Sequence, residues 1–170
     1  MSSKTAYFHL PGLFEFYELY KVFLPIFREH REYFYDWCDI GSIYGAPLDC
    51  IWSGGRVENG EVKPWKVLEL MQDYGISARL TFSNSLLKEE HLADKRCNDI
   101  CSLFAQNKSK KNNQIQSNIQ NTSMESCGAQ NQKIINSDVS NGVIVHSDLL
   151  LNYLKRIILN CILYHQLPRS

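Results

Sequence analysis

ISARLTFSNSLL, Ile76–Leu87, and VIVHSDLLL, Val143–Leu151, decide how this chain folds. Each carries a short apolar run to a serine, then Asn or Asp, and then a leucine-rich stretch of helical character. In the first, Ile76, Ala78, Leu80 and Phe82 alternate with Ser77, Arg79 and Thr81, the two-residue period of a strand. Both are read as strands feeding helices, with Ser83-Asn84 and Ser147-Asp148 as equivalent corners of successive βα units.

Working outward, Pro64 to Tyr74 is the best-marked helix. Pro64 stands in its first turn, Gly75 follows where a left-handed cap belongs, and Val67, Leu68, Met71 and Tyr74 form its apolar stripe. Lys88 to Phe104 predicts another helix, with Ala93, Cys97, Ile100, Cys101 and Phe104 in line. Upstream, Cys38–Ala46 reads as a buried strand in which Gly41 and Gly45 allow another backbone or a ligand to come close. Ala6–Leu10, closed by Pro11-Gly12, suits a first strand. The spacing of Phe16, Tyr17, Tyr20, Phe23, Leu24 and Phe27 predicts a helix from Leu13 to about Glu32, kinked or broken near Leu24 by Pro25.

The order is therefore βα repeated, which predicts an α/β fold: a parallel sheet of about four βα units, roughly half of an eight-unit (β/α) barrel. A small open α/β sheet is the other solution, but it leaves edges to be covered. Residues 1–105 hold the first three units. Residues 106–140 are rich in Asn, Gln, Ser and Lys, with too little apolar surface to offset the entropy of ordering, and are expected to be a disordered insertion. Residues 141–170 hold the fourth unit and an atypical end.

That end, IILNCILYHQLPRS after Arg156, carries two readings. Ile157, Ile158, Cys161 and Ile162 extend the stripe of Leu150, Tyr153 and Leu154 into one longer helix. Alternatively, with A/T-rich codons and the frame moved by one nucleotide, the same bases encode a proline, an apolar strand and a Ser-Ser-Thr corner, the expected start of a fifth βα unit. On that reading the chain is a truncated barrel protein cut off by a frameshift.

Composition names no partner. Lys and Arg total 18, as do Asp and Glu, so no overall field favours nucleic acid. With 44% hydrophobic residues a core is within reach. No long uncharged apolar stretch predicts a membrane span, and no leader-like N-terminus is present, so a soluble cytoplasmic chain is expected. The six cysteines show neither CxxC nor finger spacing and are expected to be reduced thiols. Nothing identifies a cofactor.

The segments DWCDIGSIYGAPLDCIWSGGR, ARLTFSNSLL and VIVHSDLLLNYLK resemble the N-terminal half of a group of uncharacterised bacterial barrel proteins, remotely similar to the collagenase-like peptidase family. The likeness covers Thr5–Phe104 and Asn141–Arg156. It implies a TIM-type barrel whose later half, with a cysteine cluster in fuller relatives, is missing here. The peptidase signature, a glutamate followed by two closely spaced cysteines among glycines, does not occur, so no catalytic residue carries over.

In a parallel barrel, functional groups gather at the carboxyl ends of strands. That rule selects Asp39, Arg79, Thr81, Ser83, Asn84, His146, Ser147 and Asp148 as ligand-binding candidates. If Ile76–Phe82 packs its apolar face on helices, Arg79 and Thr81 point inward, and a buried Arg needs an anion; Asp39 or a bound phosphate would serve. For the Ser83-Asn84 and Ser147-Asp148 corners, helix capping is the commoner role and ligand contact the sharper one. His146, Ser147 and Asp148 have the residue types of a hydrolase triad, but consecutive strand residues face opposite ways. Cys97 and Cys101 are expected as small buried hydrophobes rather than a metal half-site.

Three functions fit these features. They are a barrel fragment without activity of its own, a barrel-class enzyme or binding domain for an anionic or peptide-like ligand, and an interaction module using the arm at 106–140. Self-association or a partner chain would complete the ring.

Overall fold

The computed structural model describes residues 5–55, 62–107 and 140–157, and the backbone of 162–165. The elements are β1 (Ala6–Leu10), α1 (Tyr17–Glu29), β2 (Cys38–Gly45), α2 (Pro64–Asp73), β3 (Ser77–Phe82), α3 (Glu89–Leu92), α4 (Lys95–Gln106), β4 (Gly142–Val145), α5 (Asp148–Ile157) and β5 (Ile162–His165). All neighbouring strands are parallel, and they stand side by side in chain order, β1-β2-β3-β4-β5. The α/β parallel sheet expected from the βα repeats is therefore present. Of the insertion expected at 106–140, Gln106 is instead the last residue of α4, Asn107 and Ser140 are described beside it, and 108–139 lie outside the described residues.

The register explains the core. Ile43 pairs with Ala78, Leu80 with Val143 and Phe82 with Val145; all six side chains are buried. They form one apolar face, and the helices close over it with Val67, Leu68 and Met71 from α2, Ile100 and Phe104 from α4, and Leu150 and Leu154 from α5. Helices consecutive around the sheet touch. Arg28 of α1 lies 4.3 Å from the Tyr74 ring beyond α2, and Tyr153 of α5 donates to Asn98 of α4 at 3.0 Å.

Glycines sit where close approach or turning requires them. A Cβ at Gly45 would stand 2.6 Å from the Leu13 backbone nitrogen, because the turn after β1 folds over the end of β2 and Leu13 donates its N–H to Tyr44 O at 3.0 Å. Gly75 has φ +64°, the left-handed conformation expected beyond α2.

Three expectations change. α1 starts at Tyr17 rather than Leu13 and runs on through Pro25 without ending; packing of Tyr20 and Leu24 in the core outweighs the lost backbone bond. The helix read as one piece from Lys88 divides at Ala93-Asp94, because Asp94 accepts from Cys97 N at 2.8 Å and starts α4 afresh. The terminal helix does not reach Ile162: α5 is described to Ile157, Ile158 and Cys161 lie outside the described residues, and Ile162–His165 joins the sheet beside β4 as a fifth strand.

Leu80→Ala should lower unfolding free energy by about 2–5 kcal/mol, since its side chain is fully enclosed between sheet and helices. Leu86→Ala, at a residue 82% exposed, should change it by less than about 0.5 kcal/mol. Urea unfolding followed by far-UV circular dichroism reads both.

Candidate functional site

The second face of the sheet is polar. By register His9, Ser42 and Ser77 form one row across it; Tyr44, Arg79 and Gly142 form the next; Thr81 and Ile144 form a third. His9 Nδ1 and Ser42 Oγ are 2.6 Å apart, and Ser77 Oγ donates to Ser140 O at 2.8 Å. Arg79 and Thr81 are half-buried here, on the side away from the helices, as the strand alternation implies. Thr81 Oγ1 is enclosed without a hydrogen-bond partner among the described residues.

Asp39 is not the counter-ion expected for Arg79. It is the second residue of β2, paired with Tyr7, whereas Arg79 lies opposite Tyr44. Five residues of strand separate the two levels, roughly 16 Å. Asp39 instead receives the N–H of Ile40 at 2.7 Å. It therefore belongs to the amino end of the sheet, away from the end where ligands gather in such folds.

The corner after β3 binds its own neighbours. The Asn84 side chain donates to Ile51 O at 2.8 Å and accepts from Leu86 N at 2.9 Å, while its backbone N–H reaches Trp52 O. Ser83 Oγ contacts Ser53 O at 3.5 Å, and Ser53 Oγ donates to Thr81 O at 3.1 Å. Residues 51–53 thus form a plug over the end of β3. Trp52 anchors it, edge-on to Phe82 and Tyr153, with its indole N–H on His91 O at 2.7 Å. Asn84 makes an Asx turn rather than a helix cap, because α3 begins only at Glu89.

The corner after β4 does cap. Buried Ser147 accepts from Leu150 N at 3.4 Å in the first turn of α5. His146 is exposed and gives its backbone N–H to Phe82 O; Asp148 is exposed as the first residue of the helix. Of the candidates, Arg79 and Thr81 therefore share the polar face, and His146 and Asp148 flank the open end of β4. Ser83, Asn84 and Ser147 act within the scaffold.

Two features were not read from the sequence. Cys50 and Cys97 form a disulfide, where reduced thiols were expected, and it ties the segment after β2 to the first turn of α4. Their separation of 47 residues matches no local cysteine motif, so only the sheet order brings them together. Asn141, buried, accepts from Ala78 N at 3.1 Å and donates to Phe104 O at 3.3 Å and Asn107 O at 2.8 Å. Its amide joins the start of β4 to β3 and to the end of α4, where sequence showed only an Asn-Gly turn signal.

At the top of β1, the Tyr20 hydroxyl donates to Pro11 O. Burial first, and the neighbouring Tyr44 second, push its pKa above the ordinary phenol value, so it remains a donor at neutral pH.

Among the described residues no cluster of three or more His, Cys, Asp or Glu could hold a metal ion, and no helix is long and apolar enough to cross a membrane. No family model, curated protein or solved structure matches the chain.

Asn141→Ala should destabilise by about 1–3 kcal/mol, because it strands the buried Ala78 N–H. Replacing Cys50 and Cys97 together by Ala should remove up to roughly 4 kcal/mol on the chain-entropy account of a loop this long. The readout is the urea midpoint, and reductant should produce most of the second shift in the unmodified protein.

Proposed function

We propose that this chain is the front part of a (β/α) barrel protein and has no catalytic activity of its own. The observation that carries this reading is the strand order. Parallel strands laid down consecutively, with consecutive helices touching, wind in one direction as barrel strands do. A doubly wound sheet would instead reverse its order at a switch point. Helices described on one face of the sheet support the same reading, since a barrel keeps all its helices on the outside.

Of the candidate residues, Ser83, Asn84 and Ser147 supply capping and loop anchoring rather than a nucleophile. The likeness to collagenase-like peptidases adds no catalytic residue. Balanced charge gives no ground for a nucleic-acid role. The reading keeps the chain in the cytoplasm; the Cys50–Cys97 pairing is the observation against that placement, because cytosolic thiols are held reduced.

Completion of the ring by a second copy or another chain belongs to the proposal. β1 borders the sheet, and around it Tyr7, Phe8 and Trp37 are 59%, 44% and 43% exposed, the kind of edge that recruits further strands or apolar partners. Sedimentation velocity over a concentration series should show reversible association, with Tyr7→Lys/Trp37→Lys sedimenting as a monomer. A wild-type chain that stays monomeric throughout, melts sharply and binds no 8-anilinonaphthalene-1-sulfonate would overturn the reading.

Arg79 and Thr81 favour a second reading, a binding domain for an anionic ligand on the polar face. Inorganic phosphate should then raise the melting temperature of the wild type, and Arg79→Ala should abolish that shift while retaining a cooperative melt. Equal shifts in both proteins would remove Arg79 from the site.

A further inference from the structure

A groove of about 590 Å³ opens on the helical flank of the sheet, within the size range of small-molecule sites. It is separate from the polar face. Its walls are apolar: Phe14, Pro47, Leu48, Val62, Ile100 and Leu103. Phe14 follows β1, Pro47 and Leu48 follow β2, and Ile100 and Leu103 belong to the helix after β3. Two of the segments that frame it thus leave the carboxyl ends of neighbouring strands, the end at which parallel α/β sheets collect ligands, while the later turns of α4 form the remaining wall.

The groove is held in shape from below. Cys50 lines it, and the Cys50–Cys97 disulfide fastens the wall after β2 to the wall formed by α4. Phe14 packs on Phe104 with ring centroids 6.3 Å apart, which fixes the third side. A groove with tethered walls loses little freedom when filled.

Among the described residues, charge is confined to the rim and is unbalanced. Lys63, Lys95 and Arg96 face a single lining carboxylate, Asp99. Lys95 pairs with Asp99 at 2.5 Å and Arg96 with Asp49 at 3.6 Å; all four side chains are more than 40% exposed. Exposed pairs of this kind hold by only about 0–1 kcal/mol, so Lys95 can turn to an incoming anion. Lys63 has no ion-pair partner among the described residues.

From these observations we infer that the groove binds a small amphipathic carboxylate, an apolar chain or ring that lies on the Phe14–Ile100–Leu103 wall with its carboxylate at the Lys63 edge. An uncharged molecule of the same shape would fill the wall but leave the rim cations without a new partner. A cationic one would meet repulsion. The inference does not rest on the barrel reading, since it uses only the walls and rim of one groove.

Calorimetric titration of the full chain with decanoate, 1-decanol and decyltrimethylammonium, below their aggregation concentrations, tests it. Decanoate should bind most tightly and the ammonium least. Lys63→Glu, at an exposed position, should weaken decanoate by about tenfold and leave decanol unchanged. Ile100→Trp should fill the groove and abolish binding of both. Should that variant fail to melt cooperatively, Leu103→Trp, at a partly exposed site, serves in its place. Decanol binding as tightly as decanoate, Lys63→Glu leaving decanoate affinity intact, or decanoate failing to bind would each overturn the inference.

Discussion

A strand cannot turn straight back into a parallel neighbour; the chain must first travel the length of the sheet again, and the segment that carries it must bury a face on the way. The described structure follows from that constraint. β3 shows it best: Ala78, Leu80 and Phe82 are enclosed beneath α2, α4 and α5, while Arg79 and Thr81 are left on the opposite side. One strand thereby defines a packed face and a polar face. Its neighbours copy the division residue by residue, Ile43 beside Ala78 and Val143 beside Leu80.

The joints between units obey a second requirement, that buried backbone groups find partners. At one end of the sheet Asn141 spans β3, β4 and the last turn of α4; at the other, Asn84, Ser53 and Trp52 lock the segment after β2 over the end of β3. These polar contacts contribute less net free energy than the apolar layer. Their effect is on register, since sliding β4 by one residue would unpair the Asn141 amide and bring Ile144 into the place of Val143.

What was legible in the sequence was what depends on near neighbours. The alternation of Ile76–Phe82, the proline at the start of α2 and Gly75 at its end, and the serine caps are local signals. Of these, Ser147 acts as read, whereas Ser83 and Asn84 were claimed by a loop from 30 residues and more earlier in the chain. The place of Asp39 was legible as well, since it is the second residue of the strand read at Cys38–Ala46 and chain direction alone puts it at the amino end. The disulfide was invisible: Cys50 and Cys97 meet only because β2 and β3 are adjacent. The break at Asp94 could have been found, since an aspartate three residues before Cys97 is a capping pattern that the apolar stripe obscured.

The groove and the polar face divide the molecule's chemistry between two sides of one sheet. On the polar side, side chains project from strands and their spacing is set by the ladder. On the groove side they project from loops and helices, and their spacing is set by packing, so a covalent tie there has more to contribute.

That tie closes a ring of backbone containing the plug at 51–53, α2, β3 and α3. A protease that cuts the main chain inside the ring nicks the polypeptide without parting it: the two pieces migrate together until thiols are restored, and the sheet keeps both of its halves in place.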